Sequence, residues 1–197
     1  MDGLRFRLNR VEEEPNADLD ACKLLGSPVM PAGFMDSLKL KPEDYFVAQI
    51  RCDAFPAKAP FPEKGYLYIF VNIDTKKPRV FYTEKDPEEL IDDVNAGFDA
   101  ESCGDPTCLQ MQFVEEDSES FLFGEIDPDI GLEGDTVTAG KCTLLQIDAF
   151  DLPQDPKQRP LKFGDFGFGD GYWVFLIKEE DLIARNFKKV ELIEVEA

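Results

Sequence analysis

Lys141–Ile177, KCTLLQIDAFDLPQDPKQRPLKFGDFGFGDGYWVFLI, carries the pattern on which the fold turns. An apolar strand holding one glutamine leaves through a proline, passes a Gly/Asp/Phe loop and re-enters as the apolar run Tyr172–Ile177. A looser version occurs earlier, at Tyr45–Val71. Gln49-Ile50 answers Gln146-Ile147, and Pro56 answers Pro153, both at an offset of 97. Gly65-Tyr66 answers Gly171-Tyr172 at an offset of 106, so the second unit holds nine more residues between its landmarks. In GYLYIFV both alternating faces are apolar, which predicts a strand covered on both sides and central in its sheet. The echo reads as a duplication. It predicts two β-rich halves, about 1–97 and 98–197, packed about a pseudo-two-fold axis with the repeated strands near the centre.

The rest of the chain supplies shorter elements. Leu4, Phe6 and Leu8 alternate with Arg5, Arg7 and Asn9, the period of a strand buried on one face. Lys23–Phe34 holds Gly26, Pro28, Pro31 and Gly33, which argue against a helix or an interior strand. Arg79–Thr83, Leu109–Val114, Ser120–Phe123 and Val190–Val195 read as strands. Asp86, Pro87 and Glu89 open a predicted helix whose apolar stripe is Leu90, Ile91 and Val94. Glu179–Arg185 reads as a second short helix with acids in its first turn. The expectation is one α+β domain over 1–197, mostly antiparallel β with few short helices.

The order of these motifs resembles a known family. LGSPVMP at 25–31 is similar to an LGGxPxLP entry motif, and FVAQI at 46–50 with GYLYIFV resembles its first repeat. LLQID at 144–148, FGDFGFGDGYWVFLI and EEDLIARNF at 179–187 resemble the closing block. Together they resemble the YwqG-like family, bacterial proteins of no established biochemical function. The chain departs from that pattern: it lacks the helical lead and the Trp-Pro element before the first repeat, and its middle is unusually acidic. The resemblance implies an α+β fold dominated by antiparallel sheets. It carries no catalytic residues over. An association of the family with toxin-related loci implies a binding role.

Charge narrows the partners. The net charge is −20; residues 1–100 carry 13 basic and 19 acidic side chains, residues 101–197 carry 8 and 22. That field repels phosphate backbones and anionic membrane surfaces, so nucleic acid and membrane are not expected partners. A basic protein would be steered in. Histidine is absent, which removes the commonest general base, the commonest metal ligand and every His-dependent triad. Carboxylate-only chemistry survives that test. The five cysteines are odd in number and sparse, which argues against a disulfide framework. No leader-like apolar stretch opens the chain and no run spans a membrane, so a cytoplasmic protein is expected.

Two constellations could carry a site. Gln49 and Gln146 sit in apolar strands, where an amide must be hydrogen-bonded; either they pin the sheet or they line a central cleft. Phe163–Trp173 sets aromatics beside Asp165 and Asp170. Either it is a tight loop folding its rings into the core, or Asp165, Asp170, Tyr172 and Trp173 form a carbohydrate or small-ligand groove, with two carboxylates available for hydrolysis. Cys103 and Cys108 offer two of the four ligands a structural zinc needs, and Asp127, Asp129, Glu133 and Asp135 miss the EF-hand spacing. No cofactor is expected; metal binding and oligomeric state stay open. The leading expectation is a non-enzymatic binding protein using its acidic surface to engage a basic partner, in an immunity-type or regulatory role. A carbohydrate-binding module or carboxylate-only hydrolase is the alternative.

Overall fold

In a computed structural model the described residues are 3–10, 21–54, 60–91, 94, 108–115, 118–126, 132, 138–152, 162–163, 166–167 and 171–196. The chain runs β1 (Leu4–Arg10), β2 (Lys23–Leu24), β3 (Val29–Met30), α1 (Phe34–Ser37), β4 (Asp44–Arg51), β5 (Tyr66–Asn72), β6 (Lys77–Thr83) and β7 (Glu89–Leu90). It continues through β8 (Leu109–Phe113), β9 (Phe121–Gly124), β10 (Lys141–Asp148), β11 (Lys162–Phe163), β12 (Phe166–Gly167), β13 (Gly171–Lys178), α2 (Glu179–Ile183) and β14 (Glu191–Glu196). Single 3₁₀ turns sit at Ala149–Asp151 and Phe187–Lys189. The fold is mostly antiparallel β with few short helices, as the alternation predicts.

Ten strands form one sheet in the order β14-β13-β10-β9-β1-β8-β2-β4-β5-β6. It curls until its edges approach each other: Lys76 Nζ donates to Glu194 Oε2 at 2.8 Å, and the Phe187–Lys189 turn packs on β6. The concave side holds one apolar core drawn from the whole length of the chain, including Phe6, Leu67, Ile69, Phe123, Leu145, Trp173, Phe175 and Ile177. Pro78 lies on the edge strand β6, where a missing N–H weakens the template for a further strand.

The pairings on the two sides of the sheet run in parallel. Gln49 faces Tyr68 and Ala48 faces Ile69, with a register shift between Phe46 and Ala48. Gln146 faces Val174 and Leu145 faces Phe175, with a register shift between Thr143 and Leu145. Tyr66 then faces Thr83, and Tyr172 faces Val195. On the other flank Lys23 and Leu24 pair with Gln49 and Ala48, while Phe121 and Leu122 pair with Gln146 and Leu145. The next residues, Leu25 and Phe123, both take positive φ, 60° and 53°. At the middle of the sheet Arg7 lies opposite Gln112, between Phe6↔Phe113 and Leu8↔Met111. β8 lies beside β2 on one flank, next to β4-β5-β6, and β1 lies beside β9 on the other, next to β10-β13-β14.

Three expectations need correction. The repeated strands β5 and β13 are second from the edges of the sheet, not near its centre. They are apolar on both faces because each has an outer cover as well as the core. Met30, Leu38 and Phe46 pack with Tyr66, Tyr68 and Phe70 outside β5, and Ile126 and Leu132 pack outside β13. Second, Lys23–Leu24 is an interior strand, between β8 and β4. Two residues suffice there: the left-handed Leu25 gives a last N–H to Val47 O at 2.8 Å and turns the chain away before the glycines and prolines matter. Third, Glu89–Leu90 is a strand paired with Met30 and Val29 instead of helix. Glu88 N–H donates to Met30 O at 2.9 Å and Ile91 N–H to Pro28 O at 2.9 Å, so the outer cover of β5 takes the backbone groups that a helix would use.

Gly65 opens β5 at φ +88°, and a Cβ there would collide with the Thr83 carbonyl. Only glycine meets both conditions.

Candidate functional site

The two glutamines tie neighbouring chain segments to their strands. Both are fully buried. Gln49 Oε1 accepts from Val29 N–H at 2.7 Å, and its Nε2 donates to Ala21 O at 3.2 Å. Gln146 Nε2 donates to Glu119 O at 2.8 Å, while its Oε1 has no partner among the described residues. Four strands separate β4 from β10 in the sheet, so the pair does not converge on one cleft. A neighbouring contact repeats the correspondence: Arg51 N–H donates to Cys22 Sγ at 3.3 Å, and Asp148 N–H to Ser120 Oγ at 2.8 Å.

This difference gives a prediction. Gln49→Leu strands a buried N–H and a carbonyl, and should cost about 2–4 kcal/mol. Gln146→Leu strands one carbonyl and removes an unsatisfied buried acceptor, so it should cost about 1 kcal/mol or less. Urea unfolding of the two variants checks the order.

Tyr172 and Trp173 are neighbours on one strand, so they face opposite sides of the sheet. Trp173 enters the core, with Phe175 at 6.4 Å between ring centroids; Tyr172 is half-buried against the outer cluster of Val174, Leu176, Ile193 and Val195. One groove cannot present both rings. Asp165 and Asp170 lie outside the described residues, as do Cys103, Asp127, Asp129, Glu133 and Asp135. Among the described residues no group of three or more His, Cys, Asp or Glu is placed to hold a metal ion.

Asp44 anchors the most developed ionic cluster among the described residues. It accepts from Lys41 N–H at 2.8 Å, Asn72 Nδ2 at 2.9 Å and the Arg79 guanidinium. Burial raises its carboxyl, but these donors outweigh burial and hold it below the usual carboxylate range. Arg79 also donates to Lys39 O at 3.1 Å and Leu38 O at 3.0 Å, closing the end of α1. A second cluster joins Glu84 to Lys64 at 2.7 Å and to Arg185, whose guanidinium lies 5.1 Å over the Tyr82 ring. The hydrogen bonds from Lys64 and Arg185 pull the Glu84 carboxyl down to about 2.

Burial pushes the Tyr82 hydroxyl up to about 12 and, helped by Glu179, the Cys142 thiol up to about 11; the Cys52 thiol also rises through burial. All three stay protonated at neutral pH, the opposite of an activated nucleophile.

Grooves open on the described surface, two of them beside these clusters. One of about 220 Å³ lies between Pro60, Phe61, Gly124 and Cys142. A second, about 640 Å³, lies between α1, β6 and the 185–188 turn. A third, about 570 Å³, runs past Pro60–Lys64 to Ile183, which is 63% exposed. None is lined by Gln49, Gln146, Tyr172 or Trp173. Sequence reasoning missed Arg79, Glu84 and Arg185, because Arg185 meets Glu84 across 101 residues and nothing local marks either. Compared with known proteins, the chain matches no family model and no curated sequence. Among the described residues no helix is long and apolar enough to cross a membrane.

Proposed function

We propose that the chain is a YwqG-like, non-catalytic binding protein of the cytoplasm, engaging a basic protein partner through its acidic surface in an immunity-type or regulatory role. The observation that carries this is the charge: −20 overall, with 22 acidic against 8 basic side chains after residue 100. Exposed Glu179, Glu180, Glu191 and Glu194 contribute to it on α2 and β14. The absence of histidine and the upward-shifted thiols and Tyr82 hydroxyl support a binding role over a catalytic one.

The same reading takes 1–197 as one α+β domain made by duplication, with halves about a pseudo-two-fold axis through Arg7 and Gln112. Matched registers, register shifts at corresponding places and paired left-handed residues at Leu25 and Phe123 support it.

The test is capture of partners from native lysate at low salt, followed by affinity measurement across ionic strength. Affinity for the retained basic protein should fall at least ~10-fold between low and high salt, because screening shortens the reach of the field. Affinity unchanged by salt would overturn the acidic-surface reading.

A further inference from the structure

The groove between α1, β6 and the 185–188 turn is cationic, on a molecule whose net charge is strongly negative. Lys39, Arg79, Arg185 and Lys188 line it, together with Tyr82 and Phe187, whose rings lie 5.5 Å apart. No carboxylate is among its described lining residues. Both guanidinium groups are held over rings, Arg79 at 5.3 Å above Phe81 and Arg185 at 5.1 Å above Tyr82. Asp44 and Glu84 hold them from behind. Arg185 remains 46% exposed, so the rest of its donor fork is open to a ligand. Lys39 and Lys188 are exposed and form no ion pair with a described carboxylate.

Lys39 and Arg185 are also two of the five described non-glycine residues with positive φ, at 50° and 53°. Each directly follows a helix C-cap, Leu38 or Ala184, so the left-handed turn that ends each helix sets the side chain at the groove. The size is that of a small-molecule site. Part of the wall is the α2–turn connection from Glu179 to Val190, which links β13 to β14 where the corresponding link between β5 and β6 is the short turn Ile73–Lys76. The groove therefore belongs to the part of the second half that departs from the first.

We propose that this groove binds a small oxyanion, a carboxylate or phosphate carried on a flat apolar ring. Arg185, Lys39 and Lys188 meet the anion; the half-buried Tyr82 ring, backed by the buried Phe187, meets the flat body. The inference goes beyond the acidic-surface reading and uses different residues, so either can fail alone.

Calorimetric titration with phenyl phosphate, benzoate, inorganic phosphate and benzyl alcohol tests it. Phenyl phosphate or benzoate should bind saturably, and the stronger of the two identifies the anion. Arg185→Gln should weaken that binding ~10-fold or more, since a charge-assisted bond is lost. The double variant Lys39→Gln/Lys188→Gln should weaken it several-fold, while Lys178→Gln, just before α2 and outside the groove lining, should not. The double variant changes only exposed side chains, so it decides the matter if Arg185→Gln fails to fold. Benzyl alcohol or inorganic phosphate binding as tightly as the aromatic anions, variants equal to the parent, or no saturation by about 10 mM would each overturn the proposal.

Discussion

Asp44→Ala is expected to destabilise the fold by about 3 kcal/mol. The Asp44 side chain is fully buried, and its three donors come from Lys41, Asn72 and Arg79. Removing the carboxylate leaves a buried amide of Asn72 without its acceptor and Arg79 without its counter-ion. Arg79 is about one-third exposed, so water recovers part of the loss, which places the cost at the low end for a broken buried pair.

The pH dependence has a definite sign. The folded carboxyl sits below its unfolded value, so its stabilisation is fully present above about pH 4 and is lost as pH falls through the folded value. Urea unfolding between pH 2 and pH 7, as a rough range, should show a shallower acid loss in Asp44→Ala than in the parent. Equal slopes would mean that the cluster contributes nothing to acid sensitivity.

Trp173→Ala should cost about 3–5 kcal/mol, because it empties a large volume in the shared core. Trp173 is 2% exposed and packs edge-on to Phe175. The prediction separates a core role from a ligand-facing one. A core residue lowers the urea midpoint and leaves the titrations of the cationic groove alone, provided the variant is kept in its folded range. A ring facing a ligand would change affinity and spare stability. Trp173 is also the sole tryptophan, so the parent should emit as a dry indole and shift to the red on unfolding.

The strands were legible in the sequence because their physics is local. Leu4, Phe6 and Leu8 alternate with polar neighbours, and the double-faced runs at 66–71 and 172–177 admit few other readings. Gln49 and Gln146 were visible as polar residues in apolar strands, although their partners were not. β2 and β7 are only two residues each, too short to carry a period. Asp86-Pro87 starts like a helix, but the path of Glu89 and Leu90 is set by pairing with Met30 and Val29, which lays Met30, Ile91 and Val94 over the outer face of β5. The matching of the flanks runs deeper than the letters. Cys22 and Ser120, or Leu25 and Phe123, share roles in the backbone geometry while differing in side chain. The cationic groove had no signature at all, because its four basic residues come from three separate segments.

The pairing of β1 with β8 and β9 at the middle of the sheet governs when the molecule can assemble. Leu4, Phe6 and Leu8 find strand partners only at residues 109–122, so this apolar strand stays unpaired while more than half of the chain is made. The β4-β5-β6 meander can form early, since its pairings are local. The central pairing must wait, and it closes the longest loops in the topology. During synthesis, then, β1 is an open edge in need of protection, and chaperone capture or aggregation competes with native closure until β8 and β9 emerge.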